Sequence, residues 1–137
     1  MFFKKKKDGD PSDDLAKVAA LLIHAAKIDE NFSDKEEKII KQTLIKIDTN
    51  NLDIESIFKK GKTFEENSNQ ILDFTRQVKN MDEKNKIKIV EALWQIIYSN
   101  NEADIYETNL MRRLEGLMYI DSKIMGNIKA KIKKENL

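Results

Sequence analysis

Two stretches of this chain, 71 positions apart, carry the same order of residue types. Ala25-Ala26-Lys27-Ile28-Asp29-Glu30-Asn31-Phe32-Ser33-Asp34-Lys35-Glu36 runs from an apolar helix end through a tight polar turn to a helix start, and Ile96-Ile97-Tyr98-Ser99-Asn100-Asn101-Glu102-Ala103-Asp104-Ile105-Tyr106-Glu107 repeats that order. A pattern of helix, stop, cap and helix that occurs twice constrains the chain to a duplicated helical hairpin.

The chemistry of each copy supports this. In Ser33-x-x-Glu36 the hydroxyl can accept from the Glu36 amide while the carboxylate reaches back to the Ser33 amide, satisfying two donors that a helix start leaves unpaired. Asp104-x-x-Glu107 has the same capacity. Asp29-Glu30-Asn31 and Asn100-Asn101 stand where the preceding helix must stop, and Asn often replaces Gly in the left-handed conformation that ends helices.

At 137 residues the chain has the size of one domain with a real core. Charges balance to a formal +1, so no global field favours nucleic acid or an acidic partner. The absence of cysteine removes disulfides, thiolate metal sites and cysteine nucleophiles together. A single proline and four glycines, with little β-type alternation, favour helices throughout, so the expected class is all-α. The longest apolar run, Val18 to Ile23, falls far short of the ~18 residues of a spanning helix, and no signal-peptide region follows Met1-Phe2-Phe3. A cytoplasmic location is the expectation.

Residues 1–11 combine Lys4 to Lys7 with Asp8-Gly9-Asp10-Pro11 and read as a flexible basic lead-in. Beside Phe2 and Phe3, the lysines offer an alternative role at an anionic membrane surface. A helical domain then covers residues 12–135, with seven helices expected. The first, capped by Ser12 or Asp13, is apolar nearly all round and therefore central. The second spans about Ser33 to Ile47. The third carries Ile54, Ile57 and Phe58 and is expected to stop at Gly61. Thr63-Phe64-Glu65-Glu66 then reads as a capping box that opens the fourth. The fifth, from about Asp82, bears Leu93, Trp94 and Ile97 and is the second central helix; the sixth carries Leu110 and Met111, and the seventh starts at Asp121 or Ser122. The offset of 71 pairs the first helix with the fifth and the second with the sixth, implying one bundle with an internal pseudo-two-fold. The alanine-rich face of the first helix is expected to admit Trp94.

This pair of turns, each closing an apolar helix and opening a capped one, resembles the TerB-like family: tellurite-resistance protein B, its relatives, and the N-terminal domain of a DnaJ-type co-chaperone. The family turn commonly reads Ala-Asp-Gly, a few residues, then Glu, and the second copy is often followed by two arginines. The matching residues are Ile28-Asp29-Glu30 with Glu36, and Ser99-Asn100-Asn101 with Glu107, followed by Arg112-Arg113. Glu30 and Asn101 replace the turn glycines, and Asn100 replaces an aspartate. The resemblance implies an all-helical, stress-associated module with no catalytic residues to carry over.

Asp29, Asn31 and Ser33 begin like a calcium loop, but Asp34 stands in place of the required Gly and Ile40 in place of the bidentate Glu, so an EF-hand is excluded. A looser divalent-cation site remains if both turns meet, with Asp29, Ser33, Glu36, Glu102, Asp104 and Glu107 on one acidic rim. The competing explanation is capping, which accounts for the same spacing. His24 is expected to be a partly buried structural histidine, and Trp94 a core residue. Arg112 and Arg113 can grip a carboxylate or phosphate of a protein partner, or simply face solvent. Lys129, Lys131, Lys133 and Lys134 read as a solvated helix face. No phosphate loop, serine elbow or zinc spacing is present, and the expectation is a non-enzymatic interaction module with no catalytic residues and no cofactor beyond that candidate cation.

Overall fold

The structure, a computed structural model, describes residues 11–29, 32–48, 53–68, 71–100 and 105–135. Among them are seven α-helices and no strand: α1 (Pro11–Ala26), α2 (Asp34–Ile47), α3 (Ile54–Asn67), α4 (Leu72–Lys79), α5 (Glu83–Ile97), α6 (Ile105–Leu117) and α7 (Ser122–Glu135). The lead-in read over residues 1–11 lies outside the described residues except for Pro11, which begins α1. The all-α class and the bundle are observed.

Burial follows the apolar pattern. From Leu15 to Ala26 only Lys17 and His24 are less than fully buried, because α2, α3, α4 and α5 all pack against α1. On α5, Ile89, Val90, Leu93, Trp94, Ile96 and Ile97 are all 2% exposed or less, and this helix packs on α1, α2 and α7. The two central helices therefore meet, as the repeat requires.

The repeat keeps its register in the helix boundaries around the two turns. Single 3-10 turns at Lys27–Asp29 and Tyr98–Asn100 follow α1 and α5, and α2 and α6 then begin at Asp34 and Ile105, each pair offset by 71. The described part of each helix stop is thus a tightened turn, not a left-handed residue. At the second one the Tyr98 N–H donates to the carbonyls of Trp94 and Ile96, and the Ser99 hydroxyl donates to the Ile96 carbonyl at 2.6 Å. The one left-handed residue other than glycine among those described is Tyr119 (φ 55°), where α6 closes with Tyr119 N–H to Gly116 carbonyl and Ile120 N–H to Glu115 carbonyl.

Two local readings are corrected. Gly61 does not stop a helix: α3 runs on to Asn67, and Gly61 is buried where α3 crosses the alanine face of α1. A Cβ there would lie 2.7 Å from Ala19 Cβ and 3.0 Å from the Ala16 carbonyl oxygen, so the glycine serves close helix approach. It is α3, at Gly61, that lies against Ala16, Ala19 and Ala20 of this face.

The box read at Thr63 opens no helix either, since Thr63 to Glu66 form the last turn of α3. The Thr63 hydroxyl donates back to the Lys59 carbonyl at 3.3 Å, and Glu65 reaches the turn after α1, accepting from Lys27 Nζ at 2.7 Å. Tertiary packing outweighed a local capping signal here. The fourth helix starts only at Leu72, without a side-chain cap, and is anchored by buried Phe74 and Val78.

Candidate functional site

The first repeated turn delivers the chain into α2 through a complete capping box. The Ser33 N–H donates to Glu36 Oε1 at 2.8 Å, the Glu36 N–H donates to Ser33 Oγ at 3.2 Å, and the Ser33 hydroxyl donates to the same Oε1 at 3.1 Å. Glu36 is only 1% exposed, so these donors hold its carboxyl group in a poorly solvated position. Its counterpart Glu107, in the first turn of α6, is 5% exposed. Burial, and then the negative charge of Glu107, push the Tyr98 hydroxyl above its ordinary pKa. The two halves therefore repeat a buried carboxylate just inside a helix start.

Of the six residues read as an acidic rim, Ser33 and Glu36 are brought together, as cap partners. Glu107 sits at the equivalent place in α6. Glu102, Asp104 and the side chain of Asp29 lie outside the described residues. Among the described residues no three of His, Cys, Asp and Glu converge into a metal-holding group.

His24 is half-buried, with Nδ1 at 3.4 Å from Glu65 Oε2, while Lys27 pairs with the other oxygen of that carboxylate. The expected structural histidine thus lies in a bridge between α1 and α3.

Arg112 and Arg113 are exposed on α6, and among the described residues neither has an ion-pair partner. Arg112 lines a groove of about 180 Å³ between α6 and α7, whose walls include Trp94, Met111, Met125 and Lys129; Arg113 lies outside it. Trp94 Nε1–H points at Met125 Sδ, 3.3 Å away, and its ring stacks on Tyr98 at 5.8 Å. The Lys129 ammonium stands 5.3 Å from the Trp94 ring centroid, within cation–π range. Glu115, also in the wall, accepts a hydrogen bond from the Ser122 hydroxyl.

Sequence reasoning placed Arg112 and missed Lys129, which was read with the solvated tail. The missed signal was the offset of 71, which aligns Lys129 with the aromatic Phe58 of the first half. A larger hollow, about 520 Å³, is walled by Lys17, Phe64, Phe74 and Arg76. It also borders Ser68 and Leu72, on either side of residues 69 and 70, which are outside the described residues.

The family model for tellurite resistance protein TerB matches residues 15–130, from the start of the α1 core into α7. No curated protein shows a significant match, and no solved structure does.

Proposed function

Because the chain belongs to the TerB family, we propose that it is a non-enzymatic helical module that binds a protein partner through the Arg112–Arg113 face of α6. One observation carries this reading. Arg112 stands exposed at the lip of a part-apolar groove, next to a second cation, Lys129, with no carboxylate paired to it among the described residues. An unneutralised guanidinium beside an aromatic floor is the composition of an interface anchor. Stress-response scaffolding is the role that fits such a module.

Charge reversal at both arginines, Arg112→Glu with Arg113→Glu, is expected to abolish recovery of the partner from cell extract while leaving the melting temperature within about 2 °C, since both side chains are exposed. Unchanged partner recovery would refute this face.

The divalent-cation reading is the alternative, motivated by buried Glu36 and Glu107 at equivalent helix starts. Millimolar calcium, magnesium or zinc should then raise the melting temperature by mass action, and Asp29→Ala with Asp104→Ala should cancel the gain. No shift with any of the three ions would dismiss it.

A further inference from the structure

The two halves treat one position of the repeat in opposite ways. In the first half, Lys41 of α2 donates to Glu37 at 2.7 Å and to Glu55 of α3 at 2.8 Å, and its ammonium lies 4.9 Å from the Phe58 ring centroid. One cation is neutralised by two carboxylates from the chain itself, above an aromatic ring.

Moving 71 residues on, Lys41 becomes Arg112, Glu37 becomes Thr108, Glu55 becomes Gly126 and Phe58 becomes Lys129. All four of these counterparts line the α6–α7 groove. The cation is kept as a guanidinium, both of its carboxylate partners are gone, a second cation is added, and Glu115 stands in the wall at the position of Leu44.

Gly126 sharpens the contrast. It sits inside α7 with no positive φ, and a Cβ there would meet nothing within 4 Å. Neither backbone nor packing asks for glycine, which weakens a helix interior. Its effect is to leave clear the lip that Glu55 fills in the other half.

From this juxtaposition, and resting on the interaction reading above, we infer that the α6–α7 groove receives two carboxylates from an acidic peptide segment of the partner, one on Arg112 and one on Lys129. The first half shows the arrangement such a segment would restore. Trp94, Met111 and Met125 supply an apolar floor for the side chain between the two acids. Guanidinium is suited to bidentate pairing with a carboxylate. Glu115 in the same wall opposes denser anions such as phosphate groups.

The test is a fluorescence-polarisation titration of the full chain with labelled peptide arrays in which two glutamates flank one apolar residue at varied spacing. Matched arrays carry glutamine or phosphoserine at the acidic positions. The best glutamate peptide should bind at least about tenfold tighter than its glutamine match, and Arg112→Gln with Lys129→Gln should remove about that factor. Gly126→Glu, which rebuilds the absent internal carboxylate, should weaken the same peptide comparably while raising the melting temperature. Equal binding of glutamate and glutamine arrays, tighter binding of phosphoserine, or indifference to Gly126→Glu would each overturn the inference. If the arginine reversal loses the cellular partner while the glutamate arrays fail, the face stands and its carboxylate ligand falls. If partner recovery is unchanged, the underlying interaction reading falls.

Discussion

Gly61→Leu is expected to cost about 3 kcal/mol or more of folding stability, read as a fall in the urea midpoint with little change in slope. The reason is local and rigid. At this crossing a Cβ would already approach Ala19 Cβ to 2.7 Å, the Ala16 carbonyl oxygen to 3.0 Å and the Ala20 amide nitrogen to 3.2 Å. None of these atoms is the free end of a flexible side chain, so α3 must lift from α1 to admit even a methyl group.

Gly61→Ala sets two effects against each other. Alanine gains about 1 kcal/mol of helix propensity, while the clash costs about 1–3 kcal/mol. A net loss is expected, and adding Ala19→Gly should recover part of it as a measurable coupling between the two sites. A Gly61→Ala protein as stable as the parent would show that the approach of α3 to α1 is looser than described.

The second large effect is expected at Trp94. It is the sole tryptophan and 2% exposed, its ring stacks on Tyr98, its Nε1–H meets Met125 Sδ, and Lys129 sits over its face. Trp94→Ala removes a large contact surface where α5 carries α7, and should cost about 3–5 kcal/mol. Trp94→Phe keeps a ring and should lose less than half of that. Because the substitution removes the natural fluorophore, circular dichroism through a urea titration is the suitable readout. A loss under about 1 kcal/mol for Trp94→Ala would mean that α7 is held by other contacts.

What the sequence disclosed depended on the range over which each signal acts. The helix starts at Ser33 and Asp82 were legible because capping is decided within four residues: Ser33 closes its box with Glu36, and the Asp82 side chain accepts from the Asn85 N–H. The centrality of α1 was legible because a helix apolar nearly all round has no solvent face to offer, and that of α5 because its apolar stripe is broad. Gly61 was misread since the same residue ends helices and admits close neighbours, and only the partner helix decides between the two. Thr63-x-x-Glu66 failed for a related reason: nothing local says that the preceding helix has not yet ended.

The candidate site was half legible. Arg112 stood out as an exposed cation in a family-like position, whereas Lys129 looked like one of several lysines on a basic helix. Its significance comes from lying across a groove from Arg112 and above Trp94, a relation made by the packing of α7 on α5. Composition could not have shown it, because the chain's overall +1 charge hides a local imbalance at one groove.

The central claim is that two hairpins related by the sequence offset of 71 have diverged, the α2–α3 pair neutralising its own cation and the α6–α7 pair keeping one for a partner. The most direct measurement is amide hydrogen exchange of the full chain, alone and in the complex recovered with its partner. Slowed exchange confined to residues 107–130, with α2 and α3 unchanged, is the predicted result. Protection over α2 and α3, or shared evenly between both hairpins, would contradict it.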